Sequence, residues 1–134
     1  MEKTEKQRLW EEAQKLIELS EYSDDEKRNL SENISNFLSM VENENILKDT
    51  QWSYFDYAKE YDDKDEEGKG LDLCWNWENV KGVFGFYTNN SHGFSFDFGE
   101  NNTHCMFGGE DGEHGFSCDI FLNDFERALK NMGY

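Results

Sequence analysis

Near residue 50 the apolar period of this chain changes from three-to-four to two, and that switch limits the folds open to it. Before it, Leu9, Trp10, Ala13, Leu16 and Ile17 fall on one stripe, which predicts a helix over residues 4–20. The stretch "SDDE" at Ser23–Glu26 is a capping box: the serine hydroxyl accepts from the N3 amide while the glutamate reaches back. Leu30, Ile34, Phe37, Leu38 and Val41 then give a second helix one apolar face. Two helices joined by a short turn make an antiparallel hairpin.

After the switch, "LDLCWNWE" is an alternating strand. Leu71, Leu73, Trp75 and Trp77 point one way; Asp72, Cys74, Asn76 and Glu78 point the other. The stretch "QWSYFDYAKEY" fits a strand with Trp52 and Tyr54 on one face, or a helix with Tyr54, Tyr57, Ala58 and Tyr61 on one stripe; we favour the strand. Three further strands are expected at Gly82–Thr88, Gly93–Phe98 and Gly115–Phe121, and a weaker one at "THCMF", residues 103–107. The segments "TNNSHG" and "GGEDGEHG" are turns. Asn123, with Glu126 at N3, caps a last helix that buries Phe125, Ala128, Leu129 and Met132.

The fold class is therefore α+β. It has an N-terminal helical hairpin over residues 1–48, an antiparallel sheet of about five to six strands over 50–121, and a C-terminal helix over 122–134, with the helices on one face of the sheet. One domain accounts for all 134 residues. Four Trp, six Tyr and 11 Phe supply a core despite a formal net charge of -17. A sheet covered on one side leaves its other face in water. On that face we expect Asp72, Asn76, Glu78, Ser95, Asp97, Ser117 and Asp119, a polar and acidic set.

The acid is spread along the chain, and between Lys81 and Arg127 there is no Lys or Arg. Such a body repels nucleic acid and anionic lipid, and attracts basic proteins quickly at low salt. The start "MEKTEKQRLWEEAQ" has no apolar signal core, and no apolar run is long enough to span a membrane. With three cysteines and no signal, reduced thiols in a cytoplasm are expected.

The chemistry-bearing residues give no catalytic pattern. His92, His104, Cys105, His114 and Cys118 lie within 27 residues, but His114 and Cys118 stand four apart, about 13 Å on an extended strand, too far to share a metal without a bend. Turn histidines and core cysteines account for them better than a zinc site or a metal-dependent enzyme does. Asp63, Asp65, Glu67 and Gly68 imitate the start of a calcium loop, yet Cys74 stands where the bidentate glutamate is required. No positive charge near Cys105 or Cys118 would lower a thiol pKa. The near-repeat "HGFSFDF" (His92–Phe98) and "HGFSCDI" (His114–Ile120) carries His and Asp twice, but it fits two strand starts with the same pleat. We expect no enzyme, no metal and no cofactor.

What remains is surface. One candidate partner-binding patch is Asp56, Tyr57, Tyr61, Asp63, Asp65 and Glu66; the other is the open sheet face. In size, charge and the stretches "WNWE", "GVFGFY", "GFSFDFG" and "FLNDFERALKNMGY", the chain resembles bacterial immunity proteins, which neutralise the toxin domains of polymorphic, contact-dependent or colicin-type systems. The resemblance is one of class and transfers no site residue. It implies a cytoplasmic inhibitor with a cognate toxin as partner, a nuclease with a basic cleft being the type such charge fits. Phage-encoded inhibitors of host defence nucleases, of the anti-CRISPR or anti-restriction kind, share this character and stay open as an alternative.

Overall fold

The structure is a computed structural model. It describes residues 3–60, 62, 68–78, 80–89, 92–98 and 103–108, the last two stretches through their backbone. Helix α1 spans Glu5–Leu19 and α2 spans Asp24–Met40. Both begin on capping boxes. In α2 Ser23 Oγ accepts from the Glu26 amide at 3.2 Å, and Glu26 Oε1 accepts from the Ser23 amide at 2.9 Å. In α1 Thr4 and Gln7 do the same, both at 3.1 Å. The helices pack on each other, and Gln14 Nε2 donates across to Ser31 Oγ.

A short 3-10 helix, Glu44–Leu47, follows, and buries Ile46 and Leu47. The chain then turns through Asp49, whose φ of 57° lies in the left-handed region that aspartate tolerates. It enters β1, Thr50–Asp56, which ends in one helical turn, α3, Tyr57–Glu60. The ambiguous segment therefore uses both conformations, strand first and helix after. Strands β2, Lys69–Trp77, and β3, Val80–Tyr87, complete a three-stranded antiparallel sheet in the order β1-β2-β3. The backbone pairing continues from β3 to β4, His92–Phe98, and from there to β5, Thr103–Gly108. The strand expected at Gly115–Phe121 and the helix expected over 122–134 lie outside the described residues.

Register puts one row of apolar side chains under the helices. Leu71 pairs with Phe86, and Leu73 with Phe84. These four are fully buried, with Leu9, Leu30, Ile34 and Phe37 above them. Phe37 meets Phe84 at 4.7 Å and Phe86 at 5.3 Å between ring centres, the tilted and edge-on contacts that aromatic quadrupoles favour. Three indoles fasten the helical layer to the sheet. Trp52 Nε1 donates to Leu9 O (3.0 Å), Trp75 Nε1 to Ile46 O (2.7 Å) and Trp77 Nε1 to Lys48 O (2.8 Å). Arg8 adds a fourth tie: its guanidinium reaches Leu47 O and Thr50 O and is itself held by Glu5 and Glu12.

Candidate functional site

Alternation turns Gln51, Ser53 and Phe55 of β1, Gly70, Asp72, Cys74 and Asn76 of β2, and Lys81, Val83, Gly85 and Tyr87 of β3 away from the helices. The rows across this outer face are set by pairing. Phe55 stands opposite Gly70, which stands opposite Tyr87. With no side chain between them, the two rings approach to 5.0 Å, and Tyr57 packs on Phe55 at 5.1 Å. A Cβ at Gly70 would sit 1.9 Å from Phe86 O, so this position admits only glycine. Phe55 is 3% exposed, and this end of the face is an aromatic knot rather than the open polar surface expected.

Asp72 occupies the next row, with Ser53 on one side and Gly85 on the other. The backbone register extends that row through Gly93 and Gly108. Asp72 is half-buried, and among the described residues no hydrogen bond or ion pair reaches its carboxyl. Burial first, and the Glu60 carboxylate second, push its pKa up to about 7. Cys74, one row on, is a half-buried free thiol whose pKa is raised by burial and by Asp72. Neither group is the freely solvated charge that a strand pattern taken alone implies.

The last row pairs Asn76 with Lys81, and Lys81 with Asp97. Asn76 is exposed and accepts from Lys81 Nζ at 2.5 Å. Both line a hollow of about 550 Å³ together with Gln51, Cys74 and Val83. Glu78 follows β2 and is exposed. The candidates on β2 thus share one face, but Lys81 stands among them, a cation that the expected acidic set did not include, since β3 begins at Val80 and not at Gly82. For Ser95 and Asp97 the structure gives register positions, opposite Val83 and Lys81. Ser117 and Asp119 lie outside the described residues.

Of the loop patch, Asp56 ends β1 and accepts from the Lys59 amide at 3.4 Å, and Tyr57 belongs to the aromatic knot. Tyr61, Asp63, Asp65 and Glu66 lie outside the described residues. Among the described residues no three His, Cys, Asp or Glu side chains are grouped to hold a metal ion, and no helix is long and apolar enough to cross a membrane. Compared with protein-family models, with curated proteins and with solved structures, the chain has no match.

Proposed function

We propose that this chain is an acidic immunity protein: it binds a cognate bacterial toxin domain and neutralises it, the toxin being a nuclease with a basic active-site cleft. The observation that carries this reading is the net charge of -17 on a chain of 134 residues. Much of that charge stands in water in the helical layer, where Glu11, Glu18, Glu21, Asp24, Glu32 and Glu42 are exposed. Carboxylates in these numbers steer the protein toward a basic cleft and compete there with phosphate. Tight binding would rest on a few anchors, with exposed Glu78, the side chains of the outer face, and Tyr54 on the helix side of β1 as candidates.

The test is genetic, then biochemical. The open reading frame beside this gene is expressed alone and together with the chain. Toxicity that the chain relieves, with a 1:1 complex of the two purified proteins, is the expected result. A neighbour that harms no cell, together with a chain that protects cells from no toxin, would remove the reading. Relief from a toxin that does not cut nucleic acid would remove only the nuclease part.

A further inference from the structure

Among the described residues strand β1 forms one edge of the sheet, and the ladder itself shows which of its backbone groups point outward. Thr88 N donates to Lys69 O, so the odd-numbered residues of β2 bond toward β3 and the even-numbered ones toward β1. Tyr57 N donates to Gly68 O, the same phase one step beyond the strand. Gln51, Ser53 and Phe55 therefore exchange bonds with Cys74, Asp72 and Gly70. Thr50, Trp52 and Tyr54 turn their N–H and C=O groups to the outside. The contact from Arg8 to Thr50 O comes from that outer side and agrees. Among the described residues, no other chain segment bonds to Trp52 or Tyr54 along this edge, and the only bond there is a long one of 3.4 Å from the Ser53 hydroxyl to Tyr54 O.

Exposed edges are normally blunted by lysine, proline or a bulge. Here the pairing of Thr50–Asp56 runs unbroken over seven residues, with no Lys, Arg or Pro among them. Beside the edge runs a groove of about 630 Å³, walled by Arg8, Glu12, Lys15 and Leu16 of α1. Tyr54, 46% exposed, reaches over it to Leu16 O, and Leu19, one turn further along α1, is 71% exposed.

We infer that the β1 edge is a docking strand for an extended, basic segment of a partner protein, which adds to the sheet beside α1. Main-chain bonds to Trp52 and Tyr54 supply affinity, and alternate side chains of the added strand meet Leu16, Leu19 and Tyr54. Charge selects the occupant. Two cations, Arg8 and Lys15, stand at the groove; Glu5 and Glu12 engage Arg8, and with Asp49 and Asp56 flanking the strand the carboxylates outnumber the cations four to two. A second copy would bring another -17 to the same edge, whereas a lysine-bearing segment is drawn in. The inference rests on the proposed function only in taking a basic protein as the partner.

The probe is an alternating lysine–valine peptide of about ten residues, enough to span the edge, with a glutamate–valine peptide as control. Amide exchange is followed on the whole ¹⁵N-labelled chain. Gln51, Ser53 and Phe55 should exchange slowly with or without peptide. Trp52 and Tyr54 should exchange fast in the free protein and about tenfold or more slower with the lysine peptide, as new hydrogen bonds require. Tyr54→Pro, which removes the outward donor together with the Tyr54 ring and leaves the ladder intact, should weaken the peptide about tenfold relative to Tyr54→Ala, which removes the ring alone. Slow exchange at Trp52 and Tyr54 in dilute free protein would mean that the chain covers its own edge. Slowing that tracks protein concentration alone would mean a second copy. Peptide binding without the alternating pattern, or equal binding of the glutamate peptide, would mean attraction without strand addition. Each of these overturns the inference. If a cognate toxin binds and these two amides stay fast, the inference fails while the immunity reading stands.

Discussion

Replacing Asp72 with asparagine should make the protein more stable at alkaline pH and change little in acid. The asparagine keeps the shape and removes the charge. In the folded chain Asp72 holds its proton up to about 7, against 3.8 for a solvated aspartate. Between those values the folded state binds a proton that the unfolded state has lost, so wild-type stability falls as pH rises from about 4 to 7 and is level above. A sealed carboxyl with these two values would carry about 4 kcal/mol. Asp72 is half-buried, and screening by water brings the expected figure to about 1–2 kcal/mol. Most of it falls between pH 4 and 8. Urea unfolding of both proteins at those two pH values measures it. With a slope on the order of 1.5 kcal/mol per molar urea, the asparagine variant should gain about 0.5–1 M in midpoint relative to wild type on going from pH 4 to pH 8. Glu26, whose pKa is lowered by its capping bonds and Lys69, is common to both proteins, as is every other unchanged group, and cancels in the difference. Parallel pH dependence of the two, or a variant less stable than wild type at pH 8, would refute the placement of Asp72 in a desolvated row.

Three substitutions and one reagent probe other parts of the same account. Gly70→Ala should cost about 2 kcal/mol or more in urea unfolding, because its Cβ meets the Phe86 carbonyl at 1.9 Å and either β2 or β3 must move. Trp75→Phe should cost about 2 kcal/mol, since it removes the 2.7 Å bond to Ile46 O and leaves that carbonyl short of a donor in the core. Alkylation of Cys74 by iodoacetamide at pH 8, followed by peptide mass mapping, should run slower than that of a free thiol and speed up a few-fold in Asp72→Asn, where one cause of the raised pKa is gone. Glu78→Lys should leave the unfolding midpoint unchanged within about 0.5 kcal/mol while slowing association with a basic partner several-fold at low salt, by stopped-flow fluorescence.

Local features of the sequence were legible because their causes are local. The Ser23–Glu26 box starts a helix by satisfying amides within three residues, and the alternation of "LDLCWNWE" places Leu71, Leu73 and Trp75 in the core whatever lies beside them. The apolar faces of both helices were readable for the same reason, since Leu9, Ala13, Ile17, Leu30, Ile34 and Phe37 repeat at the helical period. The turn of 3-10 helix at Glu44–Leu47 left no such trace, because what holds it is an indole 29 residues away. Asp72 shows the same limit at the candidate site. The strand period assigns it to the outer face correctly, but its environment depends on Ser53, Gly85 and Glu60, which arrive from other elements. The phase of the β1 edge was equally hidden, since period two fixes where side chains point and says nothing of which neighbour takes each amide.

The inner and outer faces differ in how much substitution they can absorb, and that difference bears on where a partner can bind. On the inner face, every described tryptophan of the sheet ends on a main-chain carbonyl of the helical layer, so the sheet cannot slide without losing several bonds at once. On the outer face and along the β1 edge, Gln51, Ser53, Asn76, Glu78 and Lys81 are exposed and carry few ties of that kind. A chain that must match one particular partner needs surface positions free to change while the core stays fixed. The edge adds something the outer face lacks, main-chain groups whose bonding does not depend on side-chain identity. A partner strand held there would keep its grip while the surrounding side chains set which partner fits. Specificity would then be expected to fall on the exposed side chains beside the edge, Tyr54 and Leu19 first among them, and not on the buried aromatics beneath.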